Sequence, residues 1–261
     1  MAATDRLAAA GVPEPRPDAF LLAAHGLGQS RSWVLAHRND EVNPEALEAL
    51  LRRREKREPL AYITGHREFY GREFAVRPGV LVPRPETEAL VDEIVLELDR
   101  VGAESFLEIG VGSGCVVTTV SVLRPEVRCY GCDNSPVALE VTRENVATHN
   151  ALVTLESSDL LAAYGDQRFD VMAMNPPYIP EGTPLMPEVA EYEPGRALYA
   201  GSDGLDVYQR LAIEAWAHVQ YALVLEVPQW MQRAVRALFL QASWRVDDVE
   251  TETDVLVVRP H

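Results

Sequence analysis

The sequence has too few cysteines for a disulfide framework. Cysteine occurs only at Cys115, Cys129 and Cys132, an odd and sparse set among 261 residues. Cys129 and Cys132 have a CxxC spacing, but they lie in an apolar run rather than at the start of a helix. A zinc site needs four ligands, and no second CxxC or histidine pair stands nearby. We expect three buried structural cysteines and no metal site.

The sequence also lacks long apolar runs and has a deficit of positive charge. No run reaches the roughly 18 apolar residues of a membrane helix. Asp5 and Arg6 stand where a signal peptide would be apolar, so we expect no membrane association and a cytoplasmic location. The formal net charge of −16 disfavours stable direct binding to nucleic acid, whose phosphates an acidic surface repels.

One segment, residues 52–57, runs against the acidic composition because it holds five basic residues. It ends a segment predicted to be helical, where cations complement the negative end of the helix dipole. Two interpretations remain open, a solvated helix face or a patch that contacts a partner.

The order of apolar segments predicts an α/β fold preceded by short helices. Continuous apolar strands that alternate with helices are typical of a mostly parallel sheet covered on both faces, and two final neighbouring strands suggest an antiparallel edge. The predicted strands are 105–109, 127–133, 153–158, 169–174, 221–227, 244–249 and 253–259, and the predicted helices between them are 114–123, 135–149, 206–218 and 230–241. We place a helical domain at 1–66, a hairpin linker at 67–85 and the α/β domain at 86–261.

A glycine-rich loop and an aspartate favour a nucleoside-type ligand. Gly110, Gly112 and Gly114 directly follow the first strand of the α/β domain, where glycines allow a tight turn and a close approach of a ligand. Asp133 ends the second strand about 20 residues later, where a carboxylate can accept both ribose hydroxyls. Asp159 and Leu160 follow the third strand and are suitably placed to meet the edge and the face of an adenine.

The fourth strand ends on Asn175-Pro176-Pro177-Tyr178. In a doubly wound sheet this strand neighbours the first, so its end faces the same crevice as the glycine loop. The prolines stiffen the loop and keep Asn175 extended. The side-chain oxygen of Asn175 and a backbone carbonyl can then hold both hydrogens of an NH2 group, while Tyr178 stacks on a planar group.

A site that binds a planar NH2 group beside a nucleoside cofactor suggests methyl transfer from S-adenosylmethionine to that nitrogen. Alignment of the reacting atoms supplies most of the catalysis of such a displacement, and no strong base is needed. An amide nitrogen is a poor nucleophile, and accepting hydrogen bonds from its protons raises its electron density. The same reasoning fits an NH2 group of adenine or cytosine in nucleic acid, or a small-molecule amide. A non-catalytic cofactor-binding protein is a further alternative.

The chain resembles the HemK/PrmC-type release factor glutamine methyltransferases, which methylate the glutamine amide of a Gly-Gly-Gln loop in peptide chain release factors. The similarity runs along most of the chain and includes "VLVPRPETE", "EIGVGSGC", "DNSPVALEVTREN", "NPPYIP" and "YEPGRALYAGSDGLDVYQRL". It implies a class I S-adenosylmethionine-dependent methyltransferase domain, with a Rossmann-like, seven-stranded, mostly parallel sheet. It also implies a small N-terminal helical domain that docks the release factor.

The resemblance also implies which residues form the site. The implied cofactor contacts are Glu108, Gly110, Val111, Gly112, Ser113, Gly114, Asp133, Asn134, Asp159, Leu160 and Asn175. Asn175, Pro176, Pro177 and Tyr178 bind the substrate amide, with Asn175, Pro176 and Tyr178 as catalytic residues, while Arg84 and Glu86 shape the substrate pocket. Val227-Pro228 and the C-terminal segment depart from the family pattern. They lie away from the glycine loop and bear on the protein substrate rather than on the cofactor.

Overall fold

The computed structural model describes residues 2–37, 44–246 and 253–261. Contacts divide the chain into two units, the first formed by residues 1–66 with 184–193 and the second by residues 67–183 with 194–261. Among the described residues, none of the helices has the length and apolarity that a membrane crossing requires. The expected division into a docking domain, a linker and a methyltransferase domain stays a prediction.

The first unit is helical. Its helices are α1 (Ala2–Ala9), α2 (Pro15–Leu27), α3 (Arg31–Ala36), α4 (Pro44–Glu55), α5 (Leu60–Thr64) and, from the later segment, α9 (Pro187–Ala190). Leu7, Val12, Leu22, Leu51 and Ile63 form its apolar core and are at most 7% exposed. The predicted helices at the start of the chain are confirmed. That residues 184–193 belong to the same unit was not predicted, because no pattern in the sequence indicates it.

Two basic residues of the segment 52–57, Arg54 and Arg57, belong to an ion-pair cluster of the first unit. Arg54 is 5% exposed and donates to Asp18 at 2.7 Å and to Glu188 at 3.1 Å. Arg57 donates to the same Glu188 carboxylate at 2.6 Å. Burial alone raises the pKa of Glu188, but the hydrogen bonds from Arg57 and Arg54 bring it below its ordinary value. The interpretation of a solvated face is therefore wrong for Arg54, although it holds for Arg52, whose side chain is 71% exposed.

The second unit begins with a hairpin and continues as alternating strands and helices. The hairpin pairs β1 (His66–Phe69) with β2 (Arg72–Ala75), and a 3₁₀ turn at Pro85–Thr87 leads into α6 (Glu88–Val101). The elements that follow are β3 (Ser105–Ile109), α7 (Cys115–Leu123), β4 (Arg128–Asp133), α8 (Pro136–Thr148), β5 (Val153–Ser157), β6 (Phe169–Met174), α10 (Asp206–Glu214), β7 (Val219–Glu226), α11 (Gln232–Gln241), β8 (Arg245–Val246) and β9 (Val255–Arg259).

Seven strands of the described residues form one sheet in the order β5-β4-β3-β6-β7-β9-β8. Neighbours from β5 to β7 are parallel, and β9 is antiparallel to both β7 and β8. Along β6, Met172 and Met174 enter one apolar cluster while Val171 and Ala173 enter another, so both faces of the sheet are covered. The predicted α/β fold with a mostly parallel sheet and an antiparallel edge is confirmed.

The predicted strands and helices differ from the observed ones mainly at their ends. β7 begins at Val219, two residues before the predicted strand, whose start was placed after the polar Gln220. The predicted helix 206–218 ends as a 3₁₀ turn at Ala215–Ala217. Of the predicted strand 244–249, residues 247–249 lie outside the described part of the chain.

All three cysteines are buried, as predicted. Cys129 and Cys132 lie in β4, and Cys115 is the first residue of α7. Burial raises the pKa of each thiol to about 12, which keeps it protonated and unreactive at neutral pH. In the described ranges, no three His, Cys, Asp or Glu side chains are grouped to hold a metal ion.

Candidate active site

A pocket of the second unit opens at the carboxyl ends of β3, β4 and β6. It is lined by most of the residues predicted from the sequence, namely Arg84, Glu108, Gly110, Val111, Gly112, Ser113, Asp133, Asn134, Asp159, Leu160, Asn175 and Pro177. Gly114, Pro176, Tyr178 and Glu86 lie outside this lining. The strand order explains the convergence, since β3 lies between β4 and β6 and the order in which successive strands join the sheet reverses there.

The glycine loop contributes shape to this pocket more than hydrogen-bond donors. Gly110, Gly112 and Gly114 all have positive φ, at 72°, 56° and 76°. The N–H groups of Gly110 and Val111 both donate to the carbonyl of Cys132, at 2.7 and 3.0 Å. A Cβ at Gly114 would come within 2.5 Å of Cγ2 of Thr142, so Gly114 supports the loop from behind rather than facing the ligand.

Asp133 ties the glycine loop to the end of β4. Its Oδ2 accepts from the N–H of Gly112 at 3.0 Å, and its Oδ1 accepts from the N–H of Ser135 at 2.8 Å. A carboxylate offers about four lone-pair positions, so two remain for hydroxyl donors of a ligand. Asp133 is therefore held rigidly and still has free acceptor capacity toward the pocket.

Glu108 is a buried carboxyl group at the base of the same loop. It is 3% exposed, and its Oε2 accepts from the N–H of Val117 in the first turn of α7 at 2.7 Å. Burial raises the pKa of Glu108 well above its ordinary value, against the hydrogen bond from Val117 and with a further contribution from the charge of Asp133. A protonated Glu108 can donate a hydrogen bond into the pocket, which an ionised carboxylate cannot.

Asp159 and Leu160 follow β5 and line the pocket side by side. Leu160 has a φ of 48°, a left-handed conformation that is uncommon for a residue with a side chain and recurs at ligand sites. Asp159 forms an exposed ion pair with Arg210, with Nη1 of the arginine 3.0 Å from Oδ1. The carboxylate expected at an adenine edge thus already has a cationic partner.

Asn175 and the two prolines extend β6 into the pocket wall. Asn175 lines the pocket, Pro176 is buried, and the chain beyond them pairs at Ile179 with Tyr199. Tyr178 is half-buried against the apolar core, and burial raises the pKa of its phenol. Its carbonyl oxygen occupies the space that a Cβ at Gly204 would need, and Gly204 has a φ of 79°. The loop is therefore held in place along its backbone.

Five further residues at the site were missed from the sequence. Thr87, Arg196 and Arg210 line the pocket but were predicted only as parts of longer motifs, without a role in the site. The side-chain Nδ2 of Asn175 donates to Oγ1 of Thr87 at 3.3 Å. Met174 contacts the position of Gly110, with its Cε 3.3 Å from where a Cβ would stand.

Glu226, the fifth, ends β7 next to Asn175. The parallel register pairs Met174 with Leu225, which brings Asn175 and Glu226 to the same level of the sheet. Glu226 is 4% exposed, and burial raises the pKa of its carboxyl to about 7, with the Thr87 hydroxyl and the Asn175 side chain acting in the opposite direction. Pairing this carboxyl with Asn175 needed the strand order, which local sequence patterns do not contain.

Two family models match the chain. Residues 1–65 match the PrmC N-terminal domain, and residues 86–191 match the Methyltransferase small domain. Among solved structures, a methyltransferase from Pyrococcus furiosus is similar over 73% of this chain and 89% of its own, with a TM-score of 0.51 at 19% identity. A 16S rRNA N2 G1207 methyltransferase from T. thermophilus, in complex with AdoMet and guanosine, covers 75% of this chain and 49% of its own, with a TM-score of 0.52 at 17% identity. These likenesses show a methyltransferase fold.

Several curated relatives are similar over most of the chain. The release factor glutamine methyltransferase of Geobacter sulfurreducens is 43% identical over 214 residues, which are 80% of this chain and 74% of that protein. The one from Cereibacter sphaeroides is 40% identical over 91% of this chain and 87% of its own length. The one from Caulobacter vibrioides is 36% identical over 97% and 90%. The chain therefore belongs to the release factor glutamine methyltransferase family.

Proposed function

We propose that the protein transfers a methyl group from S-adenosylmethionine to the side-chain amide nitrogen of glutamine in the Gly-Gly-Gln loop of peptide chain release factors. The observation that carries this proposal is that Asn175 shares one pocket with the glycine loop and Asp133. Family membership then favours a glutamine amide over other planar NH2 groups. Because release factors act on ribosomes, we place the activity in the cytoplasm.

The donor side of the pocket fits S-adenosylmethionine. At Gly112 an added Cβ would meet no atom within 4 Å, so the loop leaves open space for a ligand above it. Asp133 keeps free acceptor positions for two ribose hydroxyls, and Leu160 presents an apolar side chain for an adenine face. Glu108, Val111, Ser113 and Asn134 complete the proposed cofactor contacts. When bound, the cofactor supplies an electrophilic methyl group on a positively charged sulfur.

The acceptor side holds the glutamine amide. Asn175, with its side-chain oxygen, and the carbonyl of Pro176 accept the two hydrogens of the amide NH2, which aligns the nitrogen and raises its electron density. As the bond from the amide nitrogen to the methyl carbon forms, the bond from that carbon to the cofactor sulfur would break and leave a neutral thioether. The nitrogen loses one proton to solvent water, and no strong base is needed for that loss. Pro177 and Tyr178 bound the amide plane, while Arg84 and Glu86 act from the 3₁₀ turn before α6.

The proposal is tested with purified protein, tritiated S-adenosylmethionine and a recombinant release factor. We expect one additional methyl group on the Gly-Gly-Gln peptide, located on the glutamine side chain by mass spectrometry. A release factor with Gly-Gly-Ala in the loop is the matched control and should remain unlabelled.

Parallel reactions contain total nucleic acid or free glutamine in place of the release factor. The net charge of −16 predicts no label in nucleic acid. Label only in nucleic acid would identify an amino-methyltransferase of nucleic acid and overturn the proposal. Label only in free glutamine would point to a small-molecule enzyme instead, and binding of the cofactor without any transfer would contradict catalysis.

A further inference from the structure

Three segments that are distant in sequence bring polar side chains together behind Asn175. Asn175 follows β6, Thr87 precedes α6, and Glu226 ends β7. Thr87 and Glu226 are each 4% exposed, so neither is a surface polar group. Buried polar groups are costly unless they are paired, and neither side chain is explained by the proposed contacts to the cofactor or the substrate.

The first link in this group joins Asn175 to Thr87. Nδ2 of Asn175 donates to Oγ1 of Thr87 at 3.3 Å. A hydroxyl has one hydrogen of its own, and accepting a bond leaves that hydrogen free to be donated elsewhere. Glu226 ends the strand beside Asn175, and the Thr87 hydroxyl lowers the pKa of its carboxyl, so we take that carboxyl as the acceptor of the free hydrogen.

The second link joins Asn175 to Glu226. The side chain of Asn175 also lowers the pKa of the Glu226 carboxyl, and Oε2 of Glu226 is a buried acceptor with no partner of full hydrogen-bond geometry among the described residues. An amide NH2 has two hydrogens, and a single bond to Thr87 uses only one. The second hydrogen of Asn175 and the unfilled acceptor of Glu226 therefore complement each other.

We propose that Thr87 and Glu226 are positioning residues that hold the NH2 of Asn175 inward, so that its side-chain oxygen faces the substrate amide. This inference rests on the proposed function, because the direction of the Asn175 oxygen matters only if the substrate brings NH2 donors. The opposite orientation would present an NH2 to another NH2 and place an oxygen against the Glu226 carboxylate. Neither arrangement allows a hydrogen bond.

The charge of Glu226 decides how strongly this orientation is favoured. An ionised carboxylate only accepts hydrogen bonds and thus requires the NH2 of Asn175 to face it, whereas a protonated carboxyl can also donate to an oxygen. The pKa of Glu226 is about 7, raised by burial and by the charges of Asp254 and Glu86. The phenol of Tyr208 donates to the backbone carbonyl of Glu226 at 2.7 Å, and Tyr178 is a further titratable neighbour. Methyl transfer should therefore decline as the pH falls through about 7.

Steady-state kinetics on release factor across this pH range test the proposal. Thr87→Val keeps the side-chain volume but removes the hydroxyl, and kcat should fall roughly tenfold or more, while Thr87→Ser should restore most of it. Glu226→Gln should remove the acidic decline in kcat that the native protein shows. Glu104→Gln, at a side chain that is 81% exposed, is the matched control and should keep the native pH profile.

A second measurement reads the orientation without any substrate. The side-chain NH2 signals of Asn175 in a nitrogen–proton correlation spectrum are identified by their loss in Asn175→Ala. These signals should shift with a midpoint near pH 7 in the native protein. The shift should be absent in Glu226→Gln.

The two measurements separate failure of the inference from failure of the proposed function. A native protein that does not methylate release factor contradicts the proposed function, and the NH2 signals then still decide the orientation. Signals that do not respond to the charge of Glu226 overturn the inference. It is also overturned if Thr87→Val is fully active or if Glu226→Gln keeps the acidic decline.

Discussion

The two walls of the pocket are built in different ways. The wall at the ends of β3 and β4 is formed within one strand–helix–strand unit, with glycines that leave room and one carboxylate, Asp133, that fastens the loop. The wall at the ends of β6 and β7 relies on one side chain, Asn175, supported by Thr87 and Glu226 from remote segments. The first wall is encoded locally, whereas the second exists only once the chain has folded.

This difference matches the tasks of the two walls. The wall at the ends of β3 and β4, the cofactor wall, needs open space and hydrogen-bond acceptors, which a short loop supplies by itself. The wall at the ends of β6 and β7, the acceptor wall, has to fix the direction of one amide side chain. That requires hydrogen-bond partners in a buried setting where alternative orientations are costly. Substitutions in the two walls should therefore separate cofactor affinity from turnover.

The largest effect is expected from Asn175→Ala. Loss of the side-chain acceptor should lower kcat at least about 100-fold, comparable to the loss of one preorganised group that stabilises a transition state. Methyl transfer to release factor is measured, with the thermal unfolding midpoint as the control for an intact fold. Near-native turnover would contradict the role of Asn175 as the acceptor.

Asp133→Ala should act on the other wall, weakening cofactor binding by roughly 1.5–3 kcal/mol through lost charged hydrogen bonds. Titration calorimetry with S-adenosylmethionine measures the dissociation constant of the variant and of the native protein. Asp170→Ala is a matched control, because Asp170 also accepts from two backbone N–H groups, those of Glu104 and Ser105, at 2.8 and 3.0 Å. Asp170 lies outside the pocket lining, so its loss should reduce stability while the dissociation constant stays unchanged.

Gly204→Ala should perturb the acceptor wall from behind. An added Cβ would overlap the carbonyl of Tyr178, and the positive φ of 79° is itself unfavourable for alanine. We expect kcat to fall roughly tenfold, since a displacement of the loop misaligns Asn175, with little change in cofactor affinity. Gly182→Ala has a similar φ of 81° but no atom within 4 Å, so it isolates the backbone cost. Equal kinetics for the two variants would show that the Tyr178 contact is unimportant.

The smallest effect is expected from Asp159→Ala. The ion pair of Asp159 with Arg210 is exposed, with side-chain exposures of 60% and 45%, and such pairs contribute about 0–1 kcal/mol. The dissociation constant for S-adenosylmethionine should change less than about fivefold. A loss as large as that in Asp133→Ala would mean that Asp159 binds the cofactor directly.

Most of the sheet could be predicted from the sequence because its central strands are continuous apolar runs. The strands β3 and β6 were predicted with the observed bounds, 105–109 and 169–174, since each run ends abruptly at a glycine or at Asn175. The glycine loop and Asp133 could also be predicted, because they belong to one strand–helix–strand unit.

The partners of Asn175 could not be predicted in the same way. Thr87 lies 88 residues away from Asn175, and only the order of β6 and β7 brings Glu226 to the same level. The burial of Arg54 could not be predicted for a related reason. Its burial depends on Asp18 and on Glu188, which is 134 residues further along the chain.

The ion-pair cluster of the helical unit limits how this protein can be cut and recombined. Arg54 lies in α4 and Arg57 follows its end, but the carboxylate of Glu188 that neutralises them arrives after residue 183. A fragment that ends at residue 66 would keep both guanidinium groups, one of them buried, and lose their shared anion. An exchange of the N-terminal domain between relatives should therefore include residues 184–193, so that both halves of the cluster are transferred together.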